Sequence, residues 1–334
     1  MLLVVNAGSS SLKVALFDDG EQVRSGQVGE IGPEGHRAAL KWLLADGFGQ
    51  GLTAAAHRVV HGGAALTAAC RIDANVLAQI EACVPLAPLH NPANLAAIRA
   101  LAALAPDLPQ FASFDTAFHA TNPEVARRYA LPAEVEAAGI RRYGFHGLSY
   151  AAIVRKMQEI GQGRLPERLL ALHLGNGASL CAIAEGRSVA TTMGYSPLDG
   201  LTMGTRAGGV DGNAVLRLAE LHGLAGAARI LNRESGLLGL GGASDMRALH
   251  AAGTDQARFA VAHFCYWAVR HAGSMIAAMG GVDAVAFTGG IGANDAFVRH
   301  EILSGLAFVA AGKPVFVIAA EEERQIATEA MALM

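Results

Sequence analysis

Charge and cysteine are both sparse in this chain, and each sparseness removes a class of function. Only 16% of the 334 residues are charged and the net charge is −3. No field of one sign recruits nucleic acid or an anionic membrane. The four cysteines (Cys70, Cys83, Cys181 and Cys265) are scattered, with no CxxC or Cys/His cluster. There is no disulfide or zinc framework to read, and reduced thiols in a cytoplasmic protein are the expectation. A long uncharged apolar run is missing as well. The nearest approach, residues 259–282, contains His263, Arg270, His271 and several glycines. It reads as a core helix, because a span needs ~20 apolar residues. No basic segment or cleavage site precedes the first strand, so no export signal is expected.

What is present is apolar and rich in small residues. Hydrophobic residues make up 52% of the chain and there are 40 glycines. That composition suits tight turns and close packing, and the length suits two domains. The stretch Leu169-Leu-Ala-Leu-His-Leu-Gly-Asn-Gly-Ala-Ser-Leu180 is a strand, a small polar turn and a second strand. Its turn frees backbone amides for an anion. The chain opens in the same way: an offset of 168 places Ala7 on Gly175, Gly8 on Asn176, Ser11 on Ser179 and Leu12 on Leu180. Two such hairpins imply a duplicated domain whose turns clamp a polyphosphate.

Strands are expected at 2–5, 14–17, 54–60, 111–114, 188–192, 284–288 and 314–319, with a turn at Asp18-Asp19-Gly20. Helices are expected at 34–44, from Asn91-Pro92 (Asn as cap) to 104, after Asn122-Pro123, from near Ser149, up to 232, over 254–279 and from Glu321. Residues 235–242 read as a glycine-rich loop, and Asn294 as the cap of the next helix. The pattern breaks around 141–147, where a domain boundary is placed. Strands alternating with helices give an α/β protein with mixed sheets.

Several residues could carry chemistry. Asn6, Ser9, Ser10, Ser11 and Lys13 offer hydroxyls, amides and a cation to a phosphate. Gly289-Gly290-Ile291-Gly292-Ala293-Asn294 suits close backbone approach to a nucleotide, or is simply a tight strand-to-helix turn. Arg58 and Arg206 sit among glycines, placed either for a bidentate fork or for a structural ion pair. Asp115, at a strand end, suits Mg²⁺ or its waters, or caps the next turn. His90 and His173 read as core or loop histidines. His119 and His146 lie in irregular segments.

These stretches together resemble the acetate kinase family, within the actin–sugar-kinase–Hsp70 superfamily. The matches are Asn6-Ala-Gly-Ser-Ser-Ser-Leu-Lys13, His57-Arg-Val-Val-His-Gly-Gly63, Pro88-Leu-His-Asn-Pro92, Phe114-Asp-Thr-Ala-Phe-His119 and Arg142-Tyr-Gly-Phe-His-Gly147. They continue through His173-Leu-Gly-Asn-Gly-Ala-Ser179, Ser196-Pro-Leu-Asp-Gly200, Met203-Gly-Thr-Arg206, Asp245-Met-Arg247 and Phe287-Thr-Gly-Gly-Ile-Gly292. They run in order over almost the whole chain.

The resemblance implies a duplicated two-domain, actin-like ATPase (ribonuclease H-like) fold with an interdomain active-site cleft. Residues 1–146 would form the acyl-side lobe, rejoined by a C-terminal helix at 320–334, and 147–319 the nucleotide lobe. It implies reversible, ATP-dependent phosphorylation of acetate to acetyl phosphate by in-line transfer, in a homodimer. In that scheme Arg58 holds the substrate, Arg206 and His146 serve the phosphoryl group in flight, and Asp115 is catalytic. Val60, Leu89, Phe145 and Pro197 would line the methyl pocket. Asn6 and Glu322 would serve Mg²⁺ (or Mn²⁺). Lys13, His173, Leu174, Gly175, Asn176 and Gly177 would take the phosphates, with Asp245, Met246, Arg247, Gly290, Ile291, Gly292, Ala293 and Asn294 around adenosine.

A substrate carboxylate is already ionised at neutral pH, so Asp115 reads as a positioner rather than a base. Propionate or butyrate as substrate stays open, as does a non-catalytic nucleotide-binding role. Retention of Arg58, Arg206, Asp115 and His146 together argues against the latter. The chain departs from the family in being shorter within 17–56 and 306–316. It also has Ala293 where an acidic residue is usual, Ala319-Ala320 in place of Pro-Thr, and an altered stretch at 207–211.

Overall fold

In the computed structural model, residues 1–8, 11–32 and 35–334 are described. Ser9, Ser10 and Glu34 lie outside the described residues. The chain divides into two compact units. One comprises Met1–Ala120, Gly147–Ala152 and Glu321–Met334; the other comprises Thr121–His146 and Ile153–Ala320.

The first unit is built on six strands: β1 (Leu2–Ala7), β2 (Ser11–Asp18), β3 (Glu21–Gly29), β4 (Ala54–Val59), β5 (Cys70–Arg71) and β6 (Gln110–Phe114). Their order is β3-β2-β1-β4-β6-β5. β1, β4 and β6 are mutually parallel, and β1, β2 and β3 form antiparallel hairpins. The period of two in β1 sends its side chains to opposite faces. Leu3 and Val5 pack with Leu40, Leu43, Ala97 and Leu101 of the helices His36–Leu43 and Asn91–Leu104. Leu2 and Val4 pack with Ile326, Ala327 and Ala330 of the helix Glu322–Met331. Covered on both faces, the parallel strands are mostly apolar, as in Leu2–Val5 and Ala54–Ala56, and His57, Gln110 and Ser113 are polar side chains buried among them. β3 gave no such signal because nearly all of it is exposed. The expected turn before it is present, with Asp19 and Gly20 both at positive φ.

The second unit carries β7 (Arg168–Leu174), β8 (Ala178–Ala184), β9 (Arg187–Thr191), β10 (Ala284–Thr288) and β11 (Val315–Val317). Their order is β11-β10-β7-β8-β9. β7 and β8 form an antiparallel hairpin continued by β9, while β7, β10 and β11 are parallel. This is the connectivity of β1, β2, β3, β4 and β6 repeated, as the paired hairpins in the sequence imply. The helix Asp255–Ala278 buries Ala260, Phe264, Ala268 and Ala272. Among the described residues no helix is long and apolar enough to cross a membrane.

Three local readings are corrected. Residues 235–242 are not all loop: a helix spans Gly236–Gly241, anchored by Leu237 N–H on Met203 O (2.8 Å) and Leu238 N–H on Gly204 O (2.9 Å). Asn294 does not cap the following helix, because residues 289–294 are already helical. The cap is Asp295, whose side chain accepts from Val298 N–H at 3.0 Å. The helix after Asn122-Pro123 is only Glu124–Arg127.

Candidate functional site

Three parallel neighbours, β1, β4 and β6, end side by side, and their last residues bring polar groups together. Arg58 donates through Nε and Nη2 to the two carboxylate oxygens of Asp115, at 3.1 and 2.6 Å. Its Nη1 donates to Asn6 Oδ1 at 3.3 Å and lies 3.7 Å from Glu322 Oε2. Asn6 Nδ2 donates to Glu323 Oε1 at 3.3 Å. Lys13 stands directly opposite Asn6 in the β1–β2 ladder, so both side chains leave the same face. Asp115 is only 2% exposed, and its carboxylate is taken by Arg58. Burial pushes its pKa up against the pull of that guanidinium. Arg58 itself, despite its own burial, is held firmly cationic by Asp115, Glu322 and Glu323.

Two asparagines that the sequence reading did not place at these strand ends hold them together. Asn91, expected as a helix cap, lies inside its helix with His90 at the cap position. Its side chain accepts from His61 N–H (3.1 Å) and donates to His61 O (3.0 Å). Asn94, three residues on and on the same face, accepts from Val60 N–H (3.0 Å) and donates to Ala7 O (2.8 Å). The Asn-x-x-Asn spacing was the available signal. Of the apolar residues expected to line a methyl pocket, Val60 is buried and Leu89 is 45% exposed in this unit. Phe145, buried, and Pro197 belong to the other. His119 is a buried core histidine, edge-on to Tyr150.

In the second unit, the β7–β8 turn is the centre. His146, in the left-handed region at φ 59, stacks on His173 with ring centroids 4.1 Å apart. His146 Nδ1 is 2.9 Å from Ser179 Oγ. A Cβ on Gly177 would sit 3.2 Å from His146 Nε2 and 3.7 Å from Arg206 Nη1. The turn, His146 and Arg206 therefore share one location. Arg206 Nη1 donates to Pro197 O at 3.1 Å, and burial lowers its pKa. No carboxylate pairs with it among the described residues. The loop bearing Arg206 is locked to the turn: Gly204 N–H donates to Asn176 O at 2.9 Å, and a Cβ on Gly204 would strike Asn176 Oδ1.

Beside this turn lies a cavity of ≈ 950 Å³, large enough for a nucleoside phosphate. Gly175, Asn176, Asp245, Met246, Arg247, Gly290, Ile291 and Asn294 line it, all of them residues the resemblance placed at the nucleotide. Leu174 is buried beneath them, near buried Gly292. Ala293 O accepts from Arg299 Nη1 at 2.9 Å. Asp245 caps its helix by accepting from Arg247 N–H and pairs with the Arg247 guanidinium, which lowers its pKa to about 2. The same cavity includes His250, Asp295 and Phe297, which the sequence reading missed.

Among the described residues no three His, Cys, Asp or Glu side chains form a metal cage. The excess of carboxylates around Arg58 fits a divalent cation, with Asn6, Glu322 and Glu323 supplying the oxygens.

Comparison with known proteins agrees with this geometry. The model of the acetokinase family matches residues 47–324. A curated acetate kinase from Deinococcus radiodurans is 46% identical, over 91% of this chain and 85% of its own. The crystal structure of Porphyromonas gingivalis acetate kinase superposes with a TM-score of 0.90 at 34% identity, covering 99% of each chain. A propionate kinase from Francisella tularensis gives 0.94 at 34% identity, covering 100% of this chain and 99% of that one. A ROK hexokinase from Thermus thermophilus, at 0.50 and 15% identity over 99% and 97%, shares the fold alone. With a family model spanning most of its length and relatives this similar over nearly all of it, the chain belongs to the acetokinase family.

Proposed function

We propose that this chain transfers the γ-phosphoryl group of ATP to acetate, forming acetyl phosphate and ADP reversibly. The observation that best supports the reading is the Arg58 cluster. Asp115 occupies Nε and Nη2, so the guanidinium is held in one orientation and its Nη1 edge, with longer contacts, faces Asn6 and Glu322. That edge takes the substrate carboxylate. Asp115 acts by orienting Arg58 and needs to accept no proton, since the nucleophile is already an anion. When Mg²⁺ (or Mn²⁺) is bound at Asn6 and Glu322 or Glu323, it neutralises phosphate charge.

The second unit supplies the nucleotide side. The Gly175–Gly177 backbone serves the phosphates, and the ≈ 950 Å³ cavity takes the nucleoside. Arg206, unpaired with any carboxylate among the described residues, has its charge in hand for the phosphoryl group in flight. His146 donates to the same group through Nε2. A homodimer belongs to the same proposal; Leu216, Leu221 and Leu224 are exposed apolar side chains that a partner could cover.

The test is hydroxylamine trapping with ATP, Mg²⁺ and acetate. Acetyl hydroxamate is the expected product. ATP binding without hydroxamate from acetate, propionate or butyrate overturns the reading in favour of a non-catalytic nucleotide-binding protein. Because the chain is also similar to a propionate kinase, propionate is the second substrate to rank. One methylene separates the two by only ~10- to 200-fold.

A further inference from the structure

Three residues that line the ≈ 950 Å³ cavity, His250, Asp295 and Phe297, have no part in the mechanism above. Phe297 is 54% exposed, which is costly for a large apolar ring unless something covers it. It shares the cavity wall with Met246 and Ile291 and meets the His250 ring edge-on, at 5.4 Å between centroids and 80° between planes. His250 Nε2 is 2.8 Å from Asp295 Oδ2, while Asp295 Oδ1 caps the following helix at Val298 N–H (3.0 Å). Both carboxylate oxygens are thus committed, and Asp295 is mostly buried, with 15% of its side chain exposed. A carboxylate only accepts, so Nε2 carries the hydrogen. In the neutral ring Nδ1 is then an acceptor, and it makes no hydrogen bond among the described residues.

We propose that Phe297 is the stacking platform for the nucleotide base and that His250, fixed in one tautomer by Asp295, selects adenine over guanine. Adenine presents an amino donor at position 6, which complements an Nδ1 lone pair. Guanine presents a carbonyl acceptor there, which opposes it. The inference rests on the nucleotide reading of this cavity, and its experiment separates the two.

Asp295→Asn is the decisive variant. The amide oxygen keeps the helix cap, and the amide nitrogen donates to Nε2, forcing the hydrogen onto Nδ1. Selectivity should then shift from ATP toward GTP, with the ATP/GTP ratio of kcat/KM falling on the order of ten-fold or more at pH 8. Phe297→Ala should raise KM for both nucleotides several-fold and leave KM for acetate unchanged. His250→Ala, which leaves the cap untouched, should bring the two nucleotides close together. An unchanged ATP/GTP ratio in both Asp295→Asn and His250→Ala overturns base selection, while a raised nucleotide KM in Phe297→Ala would leave the cavity reading standing. If none of the three variants alters nucleotide KM or selectivity in a wild-type protein that turns over ATP, the cavity is not the base site. Both the selection and the nucleotide reading of the cavity then fall.

Discussion

The two units share a topology but differ in the chemistry at the ends of matching strands. In each, the residue after the third parallel strand donates its N–H to a carbonyl of the neighbouring strand: Asp115 to Val59 O at 3.1 Å, Ile318 to Phe287 O at 2.9 Å. The backbone solution is the same, yet one copy presents a carboxylate and the other an isoleucine. The first unit concentrates charge (Arg58, Asp115, Glu322 and Glu323), and the second concentrates glycine turns around an open cavity. The repeated scaffold supplies positions, and side-chain choice makes one copy a charged cluster and the other the wall of an open cavity.

The two arginines put that contrast to its strongest test. Arg206 lacks a carboxylate partner among the described residues, so Arg206→Ala should lower kcat on the order of 10³-fold with little change in Tm. Arg58→Ala should lose comparable activity and also about 3 kcal/mol of stability, because it strands the buried Asp115 carboxylate. Steady-state kinetics with thermal melts on both variants decide it. Equal melting temperatures would break the distinction between a paired and an uncommitted guanidinium. Next in size, Asp115→Asn should lower kcat/KM on the order of 10²-fold by loosening the Arg58 fork, with both limbs of the pH–rate profile unmoved. A vanished acidic limb would make Asp115 a proton acceptor after all.

The smallest effect concerns stability alone. His57 in β4 is 1% exposed, and its Nε2 is 2.7 Å from Gln110 Oε1. Burial lowers its pKa from 6.5 to about 4, with Gln110 opposing in part. Between those values the unfolded chain binds a proton that the folded chain does not. The contribution is therefore complete above about pH 6.5 and is lost as pH falls toward about 4. It amounts to on the order of 3 kcal/mol. Urea melts at pH 7 and pH 4.5 should show the drop, and His57→Gln, which keeps a donor for Gln110, should shrink it. His61, also lowered to about 4 by burial, adds to the same slope.

Much of this was legible in the chain itself. Apolar runs announced the parallel strands, and the repeated small-residue turns announced the duplication. Arg58, Asp115 and Asn6 were readable because each closes such a run. What escaped were features set by contacts distant in sequence. β3 has no buried face to impose a period. Asn91 passes for a cap because the cap pattern is local, while its real partner is His61, thirty residues away. Phe297 looks like one more core residue until its exposure is known. The choice between Asn294 and Asp295 as cap turned on whether the glycine stretch before them was helical.

Asn94 has a consequence of its own. One planar amide touches the last carbonyl of β1 and the first N–H beyond β4. The gap between these two strand tips is therefore gauged by covalent bond lengths within a single side chain. Any change in the spacing of these tips must break one of the two hydrogen bonds or move the helix that carries Asn94.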